Sequence, residues 1–157
     1  MVKIRILSVG KIKEKYFTEA LSEYSKRLCR FCDFSVIEVP EENYSKVDDT
    51  LIEKIKSKEE EKLLQHLKGY VIAMAIEGKK YSSQTFASEI KSLIDQGNGV
   101  ITFVIGGSYG LSDKVKGRAD KLISFSDMTF PHTFFRVMLA EQIYRAFSII
   151  EGTPYHK

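Results

Sequence analysis

No run of eighteen apolar residues occurs in this chain, so no segment of it reads as a membrane-spanning helix. Cysteine is scarce: Cys29 and Cys32 share one Cys-Arg-Phe-Cys step, and there is no third. A zinc site needs about four ligands, and His66, His132 and His156 stand at no metal-ligand spacing. A redox pair of the thioredoxin kind opens a helix, where the dipole lowers the thiol pKa. This pair falls where the first helix should end. The two are read as plain thiols in a reducing compartment, with no metal. Met1 to Leu7 is too short and, with Lys3 and Arg5, too charged for a signal peptide. The expected location is cytoplasmic.

Several catalytic signatures are missing too. The glycines at 106, 107 and 110 are not followed by Gly-Lys-Ser/Thr and do not form G-x-G-x-x-G. No nucleophile elbow is present for Ser-His-Asp hydrolysis. At the expected strand ends Glu77 and Asp127 are the only carboxylates, too few for paired-carboxylate or metal chemistry.

What is present is a soluble-protein composition, 43% apolar and 29% charged, over 157 residues, which fits one domain spanning 1–157. The net charge is only +3, but residues 1–32 hold eight Lys or Arg against three Glu, and residues 38–62 hold nine acids against five Lys. The basic end could attract phosphate or be a solvated helix face. Lys11, Lys13 and Lys15 lie at or before the start of the first helix, where the dipole does not favour cations. That placement favours an anionic partner.

Val2 to Val9 alternates as a strand and ends at Gly10. Tyr16, Phe17, Ala20, Leu21, Tyr24 and Leu28 recur at helical spacing. Phe34 to Val39 is a second strand, stopped by Pro40. A highly charged helix follows, carrying Leu51, Ile52, Ile55, Leu63, Leu64 and Leu67 and ending at Gly69. Tyr70 to Ile76 is a third strand, almost wholly apolar as a covered parallel strand should be, and Glu77-Gly78-Lys79 closes it. Ser82 or Ser83 caps the next helix. Val100 to Ile105 and Leu122 to Phe125 are the last strands, with a short helix between them from Ser112-Asp113 to near Ala119. Pro131 falls in the first turn of the final helix. The alternation predicts an α/β fold, a mainly parallel sheet with helices on both faces. The last two strands are expected side by side, with a ligand pocket at their carboxyl ends. The final helix has more apolar surface than one face of a small sheet requires, which points to homodimerisation through it.

Gly106-Gly107-Ser108-Tyr109-Gly110 is either a tight strand-to-helix turn or bare backbone that a ligand can approach closely. Phe125-Ser126-Asp127-Met128-Thr129-Phe130 is unusually apolar for a loop. Either a partner subunit buries it, it wraps an apolar ligand such as a purine, or it packs under the last helix. His132 starts that helix, where the dipole disfavours imidazolium and a neutral ring can accept a proton. Arg136 lies one turn further on the same face. Glu141 and Arg145 form an i, i+4 pair. Tyr155-His156-Lys157 end the chain; such a tail is usually disordered, and if ordered it gathers a phenol, an imidazole and an ammonium.

The segments VIGGSYG, LISFSDMTFPH, R-x-x-L-x-E-Q-x-Y-R-A and PYHK, with the opening Lys3-Ile4 to Glu14, together resemble the RlmH family of SPOUT-class ribosomal RNA methyltransferases over the whole chain. The resemblance implies methyl transfer from S-adenosyl-L-methionine to N3 of a pseudouridine in 23S rRNA, on the assembled ribosome, by a homodimer. It also implies a C-terminal trefoil knot, which the pattern of elements would not suggest. It puts the cofactor on Met74, Gly106, Phe125, Ser126, Asp127, Met128, Thr129 and Phe130. Met74 stands where relatives often carry Leu, and Asp127, where a relative can carry Lys, is expected to act through its backbone. The proton acceptor is His132 or His156, with Tyr155 and Arg136 orienting the base. The alternatives are a non-catalytic flavodoxin-like module that binds a nucleotide or RNA, against which PYHK argues, and a redox protein using the two cysteines.

Overall fold

A computed structural model describes residues 1–42 and 44–157. Along the chain run β1 (Lys3–Val9), α1 (Lys15–Leu28), β2 (Asp33–Val39), α2 (Asp49–Leu64), β3 (Tyr70–Lys80), α3 (Ser83–Asp95), β4 (Val100–Ile105), α4 (Asp113–Arg118), β5 (Lys121–Ser124) and α5 (His132–Glu151). The five strands form one parallel sheet in the order β2-β1-β4-β3-β5.

Side-chain alternation divides the core. Ile4, Ile6, Ile72, Met74, Ile101, Phe103 and Ile105 face the layer built by α1, α3 and α5. Leu7, Val9, Val71, Ala73 and Val104 face the other way, against Leu63 of α2 and Val115 of α4. Both faces are therefore covered, as continuous apolar strands require. Local chemistry sets the helix starts. The Asp48 side chain accepts from the Leu51 N–H, Ser82 and Thr85 form a reciprocal capping box, and the Ser112 hydroxyl accepts from the Val115 N–H.

Four sequence expectations need correction. The last two strands are not neighbours, because β3 lies between β4 and β5. β3 does not end at Ile76: it pairs with Ile123 through Met74, leaves the ladder, and pairs with Ile123 again through Lys79. Gly78 permits this return, since a Cβ there would lie 2.6 Å from the Ile123 nitrogen. Pro131 is the cap residue before α5 rather than part of its first turn. The apolar surface of α5 is also largely covered within the chain, with Phe134 left 40% exposed. Val137, Leu139, Ala140, Ile143, Tyr144, Ala146 and Phe147 are buried within the chain, packed with residues of α1 and α3.

Candidate active site

Three excursions at the carboxyl ends of β3, β4 and β5 enclose a cavity of about 780 Å3. Between the paired Met74 and Lys79, residues 75–78 leave the ladder as the bulge of β3. Ile105 to Leu111 turn after β4. Ser124 to His132 connect β5 to α5. The structure brings Met74, Gly106, Phe125, Ser126, Met128, Thr129, Phe130 and His132 onto this one cavity. Asp127 is not on its lining; its exposed carboxylate pairs with Lys80 at 2.6 Å.

The turn after β4 is held by its own backbone: the Gly110 N–H donates to the Gly107 carbonyl at 3.0 Å. A Cβ on Gly106 would lie 2.4 Å from the Gly110 carbonyl carbon, so the tight turn by itself requires this glycine. Bare backbone then faces the cavity as a consequence. In the β5–α5 loop the Ser126 hydroxyl accepts from the Met128 N–H at 3.0 Å, and the Ser124 hydroxyl donates to the Ser126 carbonyl at 3.0 Å. Phe125 and Phe130 pack on Phe135 of α5, with ring centroids at 4.8 and 6.4 Å. These two rings are thus held under the last helix, whereas Met128 is 72% exposed at the mouth.

His132 is half-buried at the rim. Burial pushes its pKa down; the Glu41 carboxylate works against that and the Arg136 guanidinium adds to it. A depressed pKa leaves the imidazole neutral, and so a proton acceptor, at pH 7. Glu41 is a residue that sequence reasoning missed. One of its carboxylate oxygens lies 3.8 Å from His132 Nε2 and accepts from the Ser108 hydroxyl at 3.3 Å. Gly10, at φ +87°, leaves the room: a Cβ there would lie 3.1 Å from Glu41 Oε2 and 3.3 Å from His132 Cε1.

The other expected residues lie elsewhere. Arg136 is fully buried and absent from the cavity lining. It donates to the carbonyls of Val9 and Gly10 at 3.1 and 3.0 Å and to Glu38 at 2.7 Å, so it clamps the end of β1 instead of facing a substrate. Tyr155 and His156 fold back onto α5. The Tyr155 ring packs edge-on against Tyr144, and its hydroxyl donates to Glu141 at 3.2 Å. Burial, together with Tyr24 and Glu141, pushes that phenol up to about 12. His156 sits between Gln84 and Arg145, at 3.0 and 3.1 Å. This end of the chain lies by Glu141 and Tyr24, which line a second cavity of about 520 Å3 behind Phe125 and Phe130. Glu59 stands in the highly charged middle of α2. It is 3% exposed beneath Gly107, and its Oε1 has no hydrogen-bond partner. No spacing signal in the sequence singles it out.

Comparison with known proteins identifies the family. A family model described as "Predicted SPOUT methyltransferase" matches residues 2–156. The chain is 50% identical over 159 residues to the "Ribosomal RNA large subunit methyltransferase H" of Limosilactobacillus reuteri (strain DSM 20016), covering 99% of this chain and 100% of that one. A "Probable Methyltransferase" from Bordetella pertussis Tohama I shares the fold with a TM-score of 0.60 at 12% identity, over 93% of this chain and 95% of that one. A protein of Legionella pneumophila solved with bound SAM gives a TM-score of 0.50 at 12% identity, over 95% of this chain and 66% of that one. The chain belongs to the SPOUT methyltransferases, and among them to the ribosomal RNA large subunit methyltransferase H family.

Proposed function

We propose that this methyltransferase transfers the methyl group of S-adenosylmethionine to N3 of a pseudouridine in 23S rRNA, acting as a homodimer on the assembled ribosome in the cytoplasm. The observation that carries the reading is the cavity at the ends of β3, β4 and β5, with a neutral imidazole on its rim. Its volume suits a nucleoside-sized cofactor. Met74, Ile105, Ile123, Phe125 and Phe130 offer apolar walls for a purine. The bare backbone at Gly106 and Gly107, with Ser126 and Thr129, offers polar groups for a ribose and an amino acid. The same family reading carries the trefoil knot.

S-adenosylmethionine supplies a methyl group already activated by its sulfonium. The chain's own task is to orient the base and take the N3 proton. Of the two candidate acceptors, His132 is the one at the cavity. Exposed Lys11, Lys13 and Lys15 surround the exit of β1 beside it and suit an RNA backbone. Titration calorimetry with S-adenosylmethionine, followed by single-turnover methylation of ribosomes, tests the reading. Binding with methylation that fails in His132→Ala supports it. Binding without methyl transfer to any ribosomal substrate would leave a nucleotide-binding module, and no binding would remove the cofactor site. Lys13→Glu with Lys15→Glu should weaken ribosome binding most at low salt; equal binding at every salt concentration refutes the RNA face.

A further inference from the structure

We infer that Glu41 is a positioning residue for the methyl transfer, holding the His132 ring at the cavity mouth and offsetting the charge this ring gains when it takes a proton. The inference rests on the reading of His132 as the acceptor.

Three elements meet at this point. Glu41 lies just past β2, Ser108 in the turn after β4 and His132 at the head of α5; both Ser108 and His132 line the cavity. One Glu41 oxygen faces both, at 3.3 Å from the Ser108 hydroxyl and 3.8 Å from His132 Nε2. The other faces the space left by the missing side chain of Gly10. A side chain at position 10 would press on the carboxylate and the ring together.

The charges around His132 assign the task to Glu41. Arg136, one turn along α5, disfavours imidazolium, but Glu38 engages that guanidinium at 2.7 Å. Glu14, before α1, favours imidazolium less than Glu41 does. Glu41 is the carboxylate that faces the ring and has no guanidinium or ammonium within 4.0 Å among the described residues. In the transfer, the N3–H bond would break with its proton joining the imidazole; the electron pair left on N3 would form the bond to the methyl carbon, and the methyl–sulfur bond would break with its pair going to sulfur, leaving a neutral thioether. Nothing in the chain is oxidised or reduced. The half-buried ring then carries a positive charge that burial opposes and that Glu41, ahead of the Val9 backbone and Glu14, offsets.

The experiment is a pH titration of the His132 ring by nuclear magnetic resonance, in the wild type, Glu41→Gln and Glu41→Asp, with His132→Gln assigning the signal. It is paired with single-turnover rates across pH. A unit charge at this distance in a mostly solvated site implies that Glu41→Gln lowers the His132 pKa by about half a unit or more. The acid limb of the rate profile should move down equally, the plateau rate should drop about threefold, and Glu41→Asp should restore part of both. If His132 titrates unchanged in Glu41→Gln while His132→Gln is inactive, the role of Glu41 is refuted and His132 remains the acceptor. If His132→Gln keeps the wild-type rate, the acceptor assignment falls, and the role of Glu41 with it.

Discussion

Replacing Arg136 with methionine should cost this protein about 3 kcal/mol of stability. The side chain is fully buried and bonds two backbone carbonyls and one carboxylate. Methionine keeps much of the length and apolar bulk but donates nothing. Removing one member of a buried ion pair costs roughly 3–5 kcal/mol. The lower end applies here, because the Glu38 side chain is 35% exposed and water can solvate it. The carbonyls of Val9 and Gly10 have no such access and lose their side-chain donor. With a urea slope of about 2 kcal/mol/M, the unfolding midpoint should fall by about 1.5 M. Tm should fall by about 6–12 °C. Arg136→Lys should also lose stability, since one ammonium cannot reproduce a planar fork reaching three acceptors. Glu38→Gln alone should cost less, and a double-mutant cycle should give about 1 kcal/mol of coupling. A loss below about 1 kcal/mol for Arg136→Met, or wild-type stability for Arg136→Lys, would refute the clamp.

Three further outcomes follow from buried groups. Burial raises the Glu59 pKa in the folded state, so the folded chain binds that proton more tightly than the unfolded chain. The group's full stability is present below its unfolded value and is lost as pH rises towards the raised one. Glu59→Gln should therefore stabilise the protein by about 1 kcal/mol at pH 7 and give no gain near pH 4; urea midpoints below wild type at pH 7 would contradict this. Gly106→Ala should cost about 1–3 kcal/mol, because its Cβ meets backbone at 2.4 Å. It should also weaken S-adenosylmethionine binding in calorimetry, and a variant with wild-type Tm would show that the turn yields. Burial pushes the Cys32 thiol up to about 12, whereas Cys29 is exposed. Ellman's reagent should titrate one thiol in the native chain and two in urea; two fast native thiols would refute it.

The elements were legible because period-2 and period-3.6 patterns report burial residue by residue. Val100 to Ile105 could hardly be anything but a covered strand, and Ser82 and Ser112 announce helix starts by chemistry that acts within three residues. Strand order was not legible. An apolar strand carries no label for its neighbours, so the insertion of β4 between β1 and β3 had to be seen. The return of β3 to Ile123 was hidden for a similar reason, since Glu77-Gly78-Lys79 has the composition of a turn. At the cavity, the glycine and aromatic segments stood out by composition. Glu41 did not, because what distinguishes it from Glu42 is a distance to residue 132 that no local pattern encodes. Arg136 misled for the same reason: its helical position was correct, but its partners come from β1 and β2. The apolar stripe of α5 is mostly covered by α1 and α3, which its sequence pattern does not distinguish from cover by a second chain.

The double pairing of Ile123 has a consequence for how this enzyme can be altered. Residues 75–78 form a closed excursion whose two feet, Met74 and Lys79, stand on the same rung of the ladder. Lengthening or shortening that excursion changes one wall of the cavity while both feet stay where they are. Ligand preference can therefore drift at this spot without a slip of strand against strand, which makes it a natural place to graft new contacts.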